Sequence, residues 1–204
     1  MNRLDFQHYM FRFALRGAYA APIGQPNDIL DVGCGTGRWA LEMANLFPQA
    51  NVIGADIATP PVDEKPESQH RRTENYVFVE MNVLDGLKFA DASFDFTHQR
   101  LMMGGIPANR WQGVVNDLAR VTRPRGWVEL VEAQPMDGAP ALDKLKAWQI
   151  QLTAKRGIDI MIGSKIGALL QNAGLQNVQF YTLRLPIGAY GGSWASWLSK
   201  TTSR

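Results

Sequence analysis

Residues 29–37 read Ile29-Leu30-Asp31-Val32-Gly33-Cys34-Gly35-Thr36-Gly37 and run straight into Arg38-Trp39-Ala40-Leu41-Glu42-Met43-Ala44. The opening residues are a short apolar run with β-branched side chains, the pattern of a buried strand. The closing stretch reads as a helix. Between them stand Gly33, Gly35 and Gly37, one at every second position. Without a Cβ, glycine permits positive φ and lets backbone come close to a ligand. The helix that follows presents free N–H groups and a positive dipole end at the same spot. A small anionic or zwitterionic ligand is the expected occupant. The spacing departs from the G-x-G-x-x-G dinucleotide fingerprint, whose third glycine serves helix–strand packing. Asp31, two residues before the first glycine, would face a pyrophosphate badly. It suits a ligand carrying an ammonium group.

The remainder of the chain is compatible with one α/β domain built around that turn. At 204 residues it is long enough for a sizeable core. The net charge of only +2 gives no electrostatic case for a nucleic-acid partner. The single cysteine, Cys34, excludes an internal disulfide framework and fits a reducing compartment, so a cytoplasmic location is expected. No run is apolar enough to span a membrane, and the N-terminus lacks a signal-peptide pattern. No His/Cys/Asp cluster has metal-ligand spacing, so no metal is expected.

Along the chain, Leu4, Tyr9, Met10, Phe13, Ala14 and Leu15 have helical spacing, and Pro22, Gly24 and Pro26 end that segment. Pro48 stops the helix after the glycine turn. Asn51 to Ile57 reads as a second buried strand with Asp56 at its end. A carboxylate there can accept both ribose hydroxyls of an adenosine. Residues 58–75 read as a loop, and Tyr76 to Met81 as strand three. Strand four ends at Thr97-His98-Gln99-Arg100. Ligands of open α/β sheets sit beyond the carboxyl ends of the strands, which makes His98, Gln99 and Arg100 the polar side chains placed for a reacting centre. Trp111, Val114, Val115, Leu118 and Val121 share one helical face. Strand five is expected at Trp127 to Ala133, a helix from about Ala141 to Lys155, a second from an N-cap at Ser164 to Asn172 with Gly174 as its stop, and strand six at Val178 to Leu183. A short helix is expected at 194–200.

Four stretches carry a family resemblance: residues 29–37, 52–57, 78–83, and Leu87-Lys88-Phe89-Ala90-Asp91-Ala92-Ser93-Phe94-Asp95. The last is similar to the signature L-P-F-x-D-x-S-F-D, with lysine in place of proline. Thr122-Arg123-Pro124-Arg125-Gly126 resembles an L-K-P-G-G turn. Together they resemble the class I S-adenosylmethionine (SAM) methyltransferases, in the small-molecule branch that includes ubiquinone- and menaquinone-type and secondary-metabolite enzymes. The resemblance implies a Rossmann-like three-layer α/β sandwich with a mostly parallel sheet. The family's seventh, antiparallel strand has no counterpart in the pattern after Leu185. That leaves a sheet edge for a covering loop or a homodimer partner. One domain spans 1–204: an N-terminal helical lid (1–25), a cofactor-binding core (26–133), and substrate-side helices with strand six (134–204).

By the same resemblance the cofactor is SAM, contacted by Asp31, Gly33, Gly35, Asp56, Ile57, Asn82, Val83 and Gln99. Asn82 would accept from the adenine amino group, where the family more often has aspartate. Gln7, His8 and Tyr9 of the lid would face the site. Methyl transfer from a sulfonium is an in-line displacement that needs alignment and exclusion of water. A hydroxyl acceptor benefits from a general base, and His98 is the catalytic candidate. Arg100 would pair with an acidic substrate group or with Asp95. The Asn/Asp-Pro-Pro-Tyr/Phe motif of N-methylation is absent after strand four, which favours an oxygen acceptor, then carbon. Met102, Met103, Ile106, Trp111, Ile158, Met161 and Tyr190 would line a pocket for an apolar or aromatic small-molecule substrate. Two other readings stand beside this one. A non-catalytic methyltransferase-like binding or regulatory protein is left open by the variant positions. An NAD-binding Rossmann oxidoreductase is opposed by Asp31 and the glycine spacing.

Overall fold

A computed structural model describes residues 3–58, 74–136 and 139–183. Five strands, β1 (Asp28–Val32), β2 (Asn51–Asp56), β3 (Tyr76–Glu80), β4 (Phe94–Arg100) and β5 (Thr122–Val131), form one sheet in the order β3-β2-β1-β4-β5. Every pairing is parallel. The order reverses between β1 and β4, so the switch point lies at the carboxyl end of β1, where the glycine turn begins. The expected Rossmann-like sheet is therefore present.

Two apolar layers cover the sheet. Ile29, Val52 and Phe96 join Trp39, Ala40, Met43 and Ala44 of α2 (Arg38–Leu46) on one face. Leu30, Val32 and Phe94 join Trp111, Val114, Val115, Leu118 and Val121 of α3 (Trp111–Val121) on the other. The helical face anticipated at residues 111–121 is the one buried. Ile166 and Leu170 of α5 (Ile166–Asn172) complete that layer. Each large apolar side chain so buried contributes on the order of 1.5–3 kcal/mol. By contrast α4 (Pro140–Ala154) buries none of its residues, and Trp148 and Leu152 on it are exposed. The N-terminal helix α1 (Arg3–Leu15) is a single helix, ended by Arg16 at positive φ.

Several local expectations are corrected. The helix α3 passes into β5 at Thr122 without a separate turn, and residues 123–126 bulge between the pairs Phe94↔Thr122 and Phe96↔Trp127. Gly126 is required there, because a Cβ would stand 2.8 Å from the Asp95 carbonyl oxygen. Ser164 does not cap α5. Its hydroxyl turns back to donate to the Met161 carbonyl at 2.7 Å, residues Ile162–Ser164 form a short 3-10 turn, and α5 starts at Ile166. Gly174, at φ 83°, ends the helix as expected. Residues 178–183 form no strand, and Phe180, Tyr181 and Leu183 are exposed. β-Propensity alone does not hold a strand that has no ladder partner. The readings of a seventh strand, of residues 194–200, of Tyr190 and of most of the 58–75 loop lie outside the described residues. Among the described residues no helix is long and apolar enough to cross a membrane, and no group of His, Cys, Asp and Glu is arranged to hold a metal ion.

Candidate functional site

The glycine turn is fixed from β2. Gly33 and Cys34 both donate to the Ala55 carbonyl, at 2.7 and 3.1 Å. The Asp56 carboxylate accepts the Gly35 N–H at 2.8 Å through Oδ2 and the Ala58 N–H at 3.2 Å through Oδ1. Gly33, Gly35 and Gly37 all have positive φ, at 72°, 56° and 72°, which is the conformational reason for glycine anticipated from the sequence. The turn and the carboxylate meant for a ribose are thus one hydrogen-bonded unit. Beneath it, Tyr76 packs against Gly37 and Gly54, beside the Cys34 sulfur. Burial, then the nearby Asp31 and Asp56 carboxylates, push the Cys34 thiol far above its ordinary range. A thiol held protonated in this way is a weak nucleophile.

Asp31 is almost fully buried. Its Oδ1 lies 2.8 Å from His98 Nδ1. The two residues are register partners on β1 and β4, and His98 in turn pairs with Glu129 on β5. Asp31, His98 and Glu129 therefore form a polar row across the α2 face of the sheet. The His98 ring is 2% exposed and stacks on Trp39 with centroids 3.8 Å apart and planes at 9°. One ring nitrogen and a ring face are committed to neighbours, so His98 fixes the orientation of the Asp31 carboxylate. Glu129 Oε2 accepts the Ala20 and Ala21 N–H groups at 2.8 and 2.7 Å, tying the segment after α1 to the sheet.

The helix α1 lies over this row. Asp5 accepts from Thr36 Oγ1 at 3.0 Å and from Arg38 Nη2 at 3.3 Å. Leu4 reaches Gly35, where a Cβ would stand 3.2 Å from its Cδ1. His8 is buried, with Nε2 at 2.9 Å from Glu42 and Nδ1 at 3.4 Å from Arg100. Arg12 adds a 2.6 Å contact to Glu42. Against the cost of burial, His8 and Arg12 hold the Glu42 carboxyl below its usual range. Of the lid residues singled out in the sequence, only His8 faces inward. Gln7 accepts from Arg3 on the exposed side, and Tyr9 is exposed.

Arg100 does not pair with Asp95, which sits five residues away near the other end of β4. Asp95 is taken by Arg123 and by the Asn27 and Asp28 N–H groups. The Arg100 guanidinium lies instead against His8 and over the Phe11 ring, 5.4 Å from its centroid. Burial lowers its pKa, opposed by Asp31, Glu129 and Glu42.

Ile57, Asn82 and Val83, expected on the adenine side, fall at the ends of β2 and β3, and Gln99 lies on β4. Ile57 is exposed beyond Asp56. Asn82 caps a 3-10 turn at Val83–Asp85, accepting the Leu84 N–H at 3.0 Å. One lone pair of that oxygen remains for another donor. Val83 packs partly buried against the α3-side core. Gln99 is 1% exposed, beside Val32 in register, and among the described residues neither its amide oxygen nor its nitrogen has a hydrogen-bond partner. Of the pocket residues expected, Ile106 and Trp111 are core side chains, fully buried in the α3 layer. Met102 sits against Gly33, and Ile158 and Met161 are half-buried.

Two acids were missed by the sequence reading. Glu129 and Glu132 sit in and just after an apolar strand, and a carboxylate inside such a run was the available signal. Glu132 accepts the Met102 and Met103 N–H groups at 2.7 and 3.3 Å. Burial pushes its carboxyl up to about 7, against the pull of those bonds and of the Ala133 N–H.

With a switch-point glycine turn bonded to a strand-end carboxylate, the site suits a nucleoside-bearing, ammonium-bearing ligand. Comparison with known proteins gives the same direction. The family model described as "Methyltransferase domain" matches residues 6–180. Methyltransferase str2 of Strobilurus tenacellus is 31% identical over 153 residues, covering 74% of this chain and 52% of that protein. Secondary metabolism regulator LAE1 of Cochliobolus heterostrophus is 28% identical, covering 93% of this chain and 64% of that protein. The chain thus spans about half to two thirds of the length of these relatives. Among solved structures, an O-methyltransferase family protein from Burkholderia thailandensis superposes with a TM-score of 0.60 at 17% identity, covering 82% of this chain and 51% of that one.

Proposed function

The chain belongs to the methyltransferase-domain family, and from that premise we propose that it transfers a methyl group from SAM to an apolar or aromatic small molecule, at oxygen first and carbon second. The observation that carries the reading is the joined unit of Asp56, Gly35 and the glycine turn, with Asp31 held by His98 just before it. An NAD-dependent role has no support in the family match.

When bound, the donor supplies a methyl group already activated on a sulfonium sulfur. The protein's share is binding, alignment and exclusion of water. Asp31 offers a carboxylate to the ammonium of the methionyl end, beside Gly33 and Gly35. Asp56 offers its carboxylate to the ribose hydroxyls, and already accepts the Gly35 N–H. Ile57 and Val83 supply apolar contact to the adenine, and Asn82 and Gln99 supply amides. Gln99 fits a bound partner because both its polar atoms are buried and unmatched. Such atoms cost about 1–3 kcal/mol each until paired. In this reading His98 is a positioning residue for Asp31 and not the general base expected from the sequence. Acceptors that ionise readily are therefore favoured.

The test is transfer of a labelled methyl group from SAM to a panel of phenols, carboxylic acids, carbon acids and amines. Labelled phenol or carboxylic acid products are expected. Labelled amines alone would move the acceptor to nitrogen. The likeness to LAE1 favours one other reading, a regulatory member of the family. Donor binding without transfer to any of the small acceptors would support it.

A further inference from the structure

The turn after β4 is gripped by the residue after β5. Glu132 Oε1 accepts the Met102 N–H at 2.7 Å and Oε2 the Met103 N–H at 3.3 Å. The Met102 carbonyl accepts the Gly105 and Ile106 N–H groups at 2.9 and 3.0 Å. Leu101, just before, has φ 58°, and its N–H donates to the Val131 carbonyl at 2.9 Å. An L side chain holds that left-handed conformation only when its surroundings impose it. Here the end of β5 imposes it, through one carbonyl and one carboxylate.

The grip delivers the Met102 side chain to Gly33. A Cβ on Gly33 would collide with Met102 Sδ and stand 2.9 Å from its Cε. The thioether thus rests on the first glycine of the turn, and Met102 packs partly buried against the α3-side core. Among the described residues, Glu132 is offset in its burial only by backbone N–H groups. A carboxylate buried on those terms is costly. The use the geometry offers for it is the placement of Met102.

We infer that Glu132 is a positioning residue of the donor site, acting through Met102, whose thioether forms the wall of that site against Gly33. The inference rests on the proposed function. Gln in place of Glu132 keeps the shape but turns a donor toward one of the two N–H groups. The turn then loses one anchor, and Met102 loses its fixed place.

The test is a double-mutant cycle on the full chain, reading S-adenosylhomocysteine affinity by calorimetry and melting temperature in parallel. Glu132→Gln and Met102→Ala are each expected to weaken binding about tenfold, the scale of one lost hydrogen bond to a charged group. The double variant is expected to bind no worse than the weaker single variant, because both changes break the same link. Additive losses would overturn the inference. So would a Glu132→Gln protein that melts lower but binds as tightly as the parent, since that is a purely structural role. Tighter binding by Met102→Ala would overturn it too, showing that the thioether obstructs the site. If Glu132→Gln does not fold, Met102→Ala and Met102→Leu decide alone: loss in the first and recovery in the second is expected, and equal affinity in all three overturns it. Failure of the parent chain to bind is a different result and counts against the donor site itself.

Discussion

The two faces of the sheet divide the work. On the α3 face, Leu30, Val32 and Phe94 meet the apolar stripe of α3, and the buried polar groups there include the Thr97–Thr122 hydroxyl pair, Gln99 and Trp111 Nε1. On the α2 face, the same strands carry Asp31, His98 and Glu129 in a row, with Glu42, His8 and Arg100 above it. A one-residue slip in β1 or β4 would exchange the two sets. Register therefore keeps the Asp31–His98–Glu129 row on one side and the α3 layer on the other. On the α3 face the Thr97 and Thr122 hydroxyls pair with each other, while the Gln99 amide and Trp111 Nε1 have no partner among the described residues. The α2 face spends stability on buried charges, each held by a neighbour, to keep carboxylates aimed at the glycine turn.

The largest expected effect breaks the α3 side alone. Leu118→Ala removes a fully buried side chain and is expected to cost about 2–5 kcal/mol of stability. S-adenosylhomocysteine affinity, measured well below the melting temperature, should stay unchanged. Urea unfolding and calorimetry check both halves, and a large affinity loss would dissolve the division of labour.

Next is the pH dependence set by Glu132. Its folded-state carboxyl is raised from 4.5 to about 7 by burial. Between those values the folded protein holds a proton that the unfolded chain has released. Stability from this group therefore falls as pH rises from about 4.5 to 7, by about 3 kcal/mol at most. Glu42 works in the opposite sense, because its carboxyl is held low. Its contribution is present above the unfolded value and lost as pH falls through the folded one. Urea unfolding across pH 4–8 separates the two, since Glu132→Gln should flatten only the decline towards neutral pH.

On the α2 side, Asp56→Ala removes the carboxylate that anchors Gly35. Donor-analogue binding should weaken by about 1–3 kcal/mol, the scale of charge-assisted contacts. Calorimetry on the purified variant reads it, and unchanged affinity would take Asp56 out of the site. The smallest effect is expected on α4. Trp148→Ala touches an exposed side chain on a helix that buries none of its residues. Its cost by urea unfolding should stay within about 0.5 kcal/mol.

The glycine turn, the strand-end Asp56, the α3 stripe and the parallel sheet were all legible in the sequence. Their signals are local: φ-permissive glycines, an apolar run ending in a carboxylate, a helical repeat of large side chains. Most of what was not legible depends on partners far away in the chain. The reach of Glu129 to Ala20 and of Glu132 to Met102 spans many residues and leaves no periodic mark. His98 could be placed at a strand end, but its commitment to Asp31 and Trp39 follows from register and from the packing of α2. Residues 178–183 have the composition of a strand and no ladder partner among the described residues. Ser164 has the right residue type for a cap, yet its hydroxyl bonds backwards to Met161.

The most direct measurement is a calorimetric titration of S-adenosylhomocysteine into the 204-residue chain. One-site binding with a dissociation constant on the order of micromolar, about −8 kcal/mol, is expected if the turn, Asp31 and Asp56 form a donor site. A folded chain that takes up no S-adenosylhomocysteine would contradict that assignment and leave the glycine turn as a structural corner of the sheet.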